Sequence, residues 1–160
     1  MNRIFQCIAA GAFVLAAFVP SARADQACKP VNGHFEAQVV PPGVGHCPNI
    51  TGVFCTAGRV WGGIQGRYQF VMSGATSAAS IGGISTALFF AGHSTIFMRD
   101  GSTVQGTDSG TLDIPPGQGG FASLITFDAG ATGQIRLRGF FDAAAGTTSG
   151  DYLGTFCADS

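Results

Sequence analysis

Past residue 25 the chain alternates apolar and polar side chains with a period of two, between short runs of glycine, proline and aspartate. No stretch there keeps a 3.6-residue apolar period for long. Alternation at period two sends successive side chains to opposite faces of a strand. Seven segments carry it: 33–40, 57–72, 86–98, 102–114, 120–127, 133–141 and 149–157. Breakers separate them at Pro41-Pro42-Gly43, at the small-residue stretch 73–85, at Asp100-Gly101, at Pro115-Pro116-Gly117, in "DAGATG" (128–133) and in "AAAGTTSG" (143–150). Asp-Gly favours a tight two-residue hairpin because both central residues of that turn need positive φ. Connections this short impose antiparallel neighbours, since a parallel crossover needs a dozen or more residues. The pattern therefore predicts an all-β domain, a single antiparallel up-and-down barrel of about eight strands, with a two-sheet sandwich as the competing arrangement. Segment 57–72 is expected to be one long, coiled strand, because its glycines mark bends or close backbone approach.

The same alternation sorts faces. Phe35, Ala37 and Val39 oppose His34, Glu36 and Gln38; Ile64, Gly66, Tyr68, Phe70 and Met72 oppose Gln65, Arg67 and Gln69; Ile135, Leu137, Gly139 and Phe141 oppose Gln134, Arg136 and Arg138. The apolar set is assigned inward and the charged set outward. Polar atoms near the interior then come from Tyr68, Tyr152, Ser94 and Trp61, the last placed at or near the barrel mouth. Apolar walls with one or two hydroxyls suit a ligand pocket better than a hydrolytic site. The ligand-binding candidates are accordingly Trp61, Tyr68, Phe70 and Tyr152, and no catalytic residue is assigned. Segment 86–98, "TALFFAGHSTIFM", is apolar on both faces, and that predicts a homo-oligomer interface. Lipid is the alternative, but one Trp and two Tyr are too few for two aromatic girdles.

Composition supports strands and turns: charged residues are 11% of the chain and glycines number 25 of 160. The N-terminal "MNRIFQCIAAGAFVLAAFVPSARADQ" has a cation at Arg3, an apolar run over 4–19 and a small-x-small site at Ala22-Arg23-Ala24. That run is shorter than the roughly 20 residues a bilayer needs. Residues 1–24 read as a cleaved signal peptide and 25–160 as one domain, secreted or periplasmic and not inserted in a membrane after cleavage. With Arg3 and Arg23 removed, six Lys and Arg face nine Asp and Glu, a balance that argues against nucleic acid as a partner. Losing Cys7 leaves four cysteines, an even number that reads as a disulfide framework in an exported chain. Cys47 and Cys55 bracket a short loop and are expected to pair, which leaves Cys28 for Cys157 and brings first and last strands together as barrel closure requires. No CxxC occurs, and His34, His46 and His93 form no ligand-spaced cluster, so neither a metal nor another cofactor is expected. Neither a G-x-S-x-G elbow nor a glycine-rich phosphate loop is present.

Three stretches together, "CTAGRVWGGIQGRYQF" (55–70), "GHSTIFMRDGSTVQGTDSGTLDI" (92–114) and "GQIRLRGFFDAAAGTTSGDYLGTFC" (133–157), resemble bacterial proteins with an allene oxide cyclase barrel-like domain. The landmarks are G-x-x-G-x-Y-x-F, a hairpin followed by D-S-G, a glycine-bounded strand and a closing Y-x-G-x-x-C. The likeness implies an eight-stranded antiparallel barrel related to plant allene oxide cyclases, dirigent proteins and some bacterial spirotetronate cyclases. It also implies self-association and a cavity that holds a reactive apolar substrate without a cofactor. Confinement of that kind needs few polar groups, because orientation alone lowers a barrier. Three readings follow: a module binding a small apolar molecule or a partner, a cofactor-free cyclase or isomerase of an unsaturated apolar substrate, and a structural protein with a filled barrel. The cavity distinguishes them, since an eight-stranded barrel is either just filled by side chains or holds one small ligand.

Overall fold

Alternation this regular closes on itself. In a computed structural model, which describes residues 28–114 and 118–158, the strands are β1 (Cys28–Val40), β2 (Cys55–Gly62), β3 (Gly66–Ile81), β4 (Ile84–Met98), β5 (Thr103–Asp113), β6 (Gln118–Ala129), β7 (Ala131–Asp142) and β8 (Thr147–Ala158). Each pairs antiparallel with the next, and β8 pairs with β1 to complete a closed eight-stranded barrel. The expected signal peptide at 1–24 and the turn at 115–117 lie outside the described residues. Both expected disulfides are present. Cys28 bonds Cys157 across directly opposed positions of β1 and β8, and Cys47 bonds Cys55 across the loop between β1 and β2.

Two segments differ from the sequence expectation. The segment 57–72 is two strands, because the chain turns at Gly62, whose φ of 116° suits glycine alone, and drops the fully buried Ile64 into one end of the barrel. The stretch 73–85 is no breaker. It carries β3 on to Ile81 and, through Gly82 and Gly83, back into β4. Its serines and alanines have little strand propensity of their own, and the pairing of β3 with β4 overrides that preference. β2 pairs with β3 only as far as Val71, and β5 with β4 only as far as Ala87. The hairpin beyond those positions therefore projects past the barrel rim as a two-stranded arm.

The face assignment holds where the strands form the wall. Phe35, Ala37, Tyr68, Phe70, Ile135, Leu137 and Tyr152 are buried, and Glu36, Arg67, Arg136 and Arg138 are exposed. Val39, at the rim, is instead 37% exposed. The abundance of glycine has a packing cause: a Cβ at Gly58 would run into the Glu36 carbonyl, and one at Gly150 into the Arg138 carbonyl. Neighbouring backbones press that close because the strands of a small barrel coil tightly.

Candidate functional site

The two ends of the barrel differ. At one end the Tyr152 hydroxyl accepts a hydrogen bond from Ile64 N (2.7 Å) and donates one to Ile64 O (3.1 Å), stitching the β2–β3 turn over a plug of Val31, Ile64, Val104 and Ile135. That end is sealed. At the other, β3 and β4 leave for the arm and a cavity of ≈ 60 Å³ remains. Its deep wall is made by the buried Phe35, Thr56, Tyr68, Phe70, Asp108, Ser123 and Leu137. Its mouth is made by the half-buried Phe54, Met72, Phe90, Leu112, Phe121, Phe141 and Thr148. Edge-to-face ring pairs hold the wall, with Phe35 against Phe121 and Phe70 against Phe90, while Phe54 packs on Phe141 across the mouth. Phe54 is set by the residue after it, Cys55, whose disulfide pins the loop, and by its own carbonyl, which takes the amide of Met72 at 2.8 Å.

One polar cluster sits in this apolar wall. On β5 the alternation Val104, Gly106, Asp108, Gly110, Leu112 faces inward and carries a carboxyl into the interior at 2% exposure. Ser94 on β4 donates to Asp108 Oδ2 at 2.8 Å, the Tyr68 hydroxyl on β3 lies 3.2 Å from Ser94 Oγ and makes a longer 3.5 Å bond to the same carboxylate oxygen, and Ser123 on β6, also buried, lies near enough to favour the charged carboxyl. Asp108 Oδ1 is buried with no hydrogen-bond partner. Burial pushes the Asp108 carboxyl up to about 6, because the bonds from Ser94 and Tyr68 and the nearby Ser123 hydroxyl offset only part of the lost hydration of the anion. Burial first, and the negative charge of Asp108 second, hold the Tyr68 phenol far above its ordinary value, so it stays a donor.

Of the residues singled out from sequence, Tyr68 and Phe70 line the cavity. Tyr152 does not: it belongs to the sealed end and both its hydrogen-bonding capacities are used by Ile64. Trp61 points outward on β2 at 39% exposure, away from the mouth, because Thr56 and Val60 take the inward positions of that strand. Asp108, Ser123, Thr56 and Thr148 also line the cavity, although their sequence setting does not single them out. The signal for Asp108 was available, since it shares a face with Val104 and Leu112 in 102–114, but its D-S-G setting reads as a turn landmark. Compared with family models, with curated proteins and with solved structures, the chain matches none.

A carboxyl with one open acceptor, flanked by hydroxyl donors at the base of an aromatic pocket, can hold a single polar group while the walls take a hydrocarbon. Near neutral pH a carboxyl with a pKa of about 6 is mostly anionic yet readily protonated, so it accepts or donates a hydrogen bond at small cost. Among the described residues no group of three or more His, Cys, Asp or Glu side chains gathers at one place.

Proposed function

We propose that this is an exported binding module whose barrel takes a small, narrow, mainly apolar molecule bearing one hydrogen-bonding group, with that group against Asp108 and Tyr68. The observation that carries the reading is the unpartnered Asp108 Oδ1 in a residue lining an otherwise aromatic and aliphatic cavity. A buried polar atom without a partner is costly, and a ligand donor recovers that cost as affinity. The half-buried ring of mouth residues, with the flexible Met72 and Leu112 among them, gives a ligand larger than the present ≈ 60 Å³ room to enter by side-chain rotation. The two disulfides fit an oxidising compartment, which supports a secreted or periplasmic location. Phe89, 58% exposed on the outer face of β4, supports self-association of barrels through that strand.

The test displaces an apolar fluorescent probe with 1-octanol and with octane. The alcohol should compete better than the hydrocarbon for the wild type, Asp108→Leu should abolish that preference, and Leu112→Trp should block both. Equal competition by alcohol and hydrocarbon in wild type and Asp108→Leu, or probe binding untouched by Leu112→Trp, would refute the assignment of the site.

A second reading, cofactor-free isomerisation or cyclisation of an unsaturated apolar substrate, is favoured by the proton-transfer capacity of Asp108 in a mainly apolar pocket. The resemblance to allene oxide cyclase barrel-like domains supports it too. It requires that Asp108→Asn lose turnover of an unsaturated fatty epoxide while still binding the fluorescent probe. Turnover that survives in Asp108→Asn, or its absence in the wild type, would eliminate it.

A further inference from the structure

The outer wall of the barrel carries a second feature, separate from the cavity. Glu36 on β1, Arg59 on β2, Arg67 on β3 and Phe97 on β4 occupy one continuous cross-strand row, and Arg59 stands directly opposite Arg67. Like charges at opposed positions destabilise a sheet. Arg99, just past β4, is drawn to the same place by the bond from its amide to Gln65 O at 3.2 Å. Half of the six cations in 25–160 thus meet in one groove of ≈ 620 Å³, with a single carboxylate, Glu36, among its lining residues. The ion pair found among the described residues joins His34 to Asp151 and uses none of these arginines. The Arg67 guanidinium carbon lies over the Phe97 ring, 5.3 Å from its centroid, a cation–π contact that uses none of the guanidinium N–H donors in a hydrogen bond. Trp61 completes the wall with an exposed indole.

From this arrangement we infer that the groove is a binding site for an acidic saccharide, a sugar bearing carboxylate or sulfate. Guanidinium forks match the paired oxygens of either anion in a two-point contact that a lysine does not reproduce. The electron-rich face of an exposed indole stacks on the C–H face of a sugar ring, for which a bare inorganic anion has no use. Gln65 and Glu36, both on the groove wall, suit sugar hydroxyls as donor and acceptor. The unfavourable Arg59–Arg67 opposition then has a purpose, because the ligand anion relieves it.

Calorimetric titration of the protein purified with its disulfides intact tests the inference, using galacturonic acid trisaccharide, a heparin-derived tetrasaccharide, maltotriose and inorganic phosphate. One or both acidic saccharides should bind, the stronger one naming carboxylate or sulfate as the preferred group. Maltotriose should not bind, and phosphate should compete at least tenfold more weakly. Arg67→Gln should weaken binding at least tenfold in a protein whose circular dichroism still shows the folded barrel, and Trp61→Ala should weaken it comparably. A protein that binds neither acidic saccharide at low salt, or binds maltotriose or phosphate as well as the acidic saccharides, overturns the inference. So does saccharide binding that persists in both Arg67→Gln and Trp61→Ala.

Discussion

Asp108 is a charged residue held inside a hydrocarbon wall, and its ionisation is therefore coupled to folding. Its carboxyl sits at about 6 in the barrel against an ordinary 3.8. Because the folded-state value is raised, the favourable contribution belongs to the protonated form: it is complete below pH 3.8, drains away as pH rises through 3.8 to about 6, and is gone above that. A rise from 3.8 to about 6 corresponds to about 3 kcal/mol. Asp108→Asn, which mimics the protonated acid without titrating, should thus gain roughly 2–2.5 kcal/mol of stability relative to wild type between pH 4 and pH 8. Urea unfolding of both proteins at the two pH values measures this. A difference that does not change with pH would mean that Asp108 titrates in the barrel as it does in the unfolded chain. The residue was legible in principle from its place in the β5 alternation. It escaped because a charged side chain between glycines fits a turn as readily as a buried niche, and only closure of the barrel decides between the two.

Among the elements, β3 and β4 show most clearly what alternation conveys and what it omits. Within the wall, the inward sets Tyr68 with Phe70 and Ser94 with Ile96 follow the period-two pattern, so their burial was readable. Beyond the wall, the segment from Gly74 to Ala87 lacks a buried face, and a strand pair without one leaves no hydrophobic pattern in its sequence. Its tip, Ile81-Gly82-Gly83-Ile84, exposes both isoleucines. The split of 57–72 at Gly62 was hidden for another reason, since the buried Ile64 in the turn continues the apolar set of the strand that follows. The two apolar faces of 86–98 resolve into an inner set that builds the core and an outer set in which Phe89 is exposed and Phe97 lies under Arg67. If the exposed member joins barrels together, light scattering of the wild type should give a mass above one chain and Phe89→Ser should return it to one. A wild-type mass of one chain at high concentration would remove β4 as an interface.

On the scale of the whole molecule, closure is the property from which the rest follows. Fold class, antiparallel order and both disulfides were accessible from turn spacing and cysteine count, because those depend on local chemistry. Which end is open was not, because it depends on where Ile64 and Tyr152 meet across 88 residues of sequence. The Cys28–Cys157 bridge spans a sequence separation of 129 and clamps the β1–β8 seam, whereas Cys47–Cys55 spans 8 and fixes a loop. Replacing Cys28 and Cys157 by serine should cost roughly 2–5 kcal/mol, and the same change at Cys47 and Cys55 less, since a longer loop restricts the unfolded chain more. Chemical denaturation of the two double variants compares them directly, and equal losses would argue against seam closure as the main role of the first bridge. The central claim, that the open end of the barrel receives a small apolar molecule with a polar head, is tested most directly by methyl NMR during titration with 1-octanol. Shifts should appear at Met72, Leu112 and Leu137, which line the cavity, and not at Leu153 on the outer surface or Ile64 at the sealed end. Shifts confined to Leu153 and other outer methyls, or none at saturating alcohol, would contradict it.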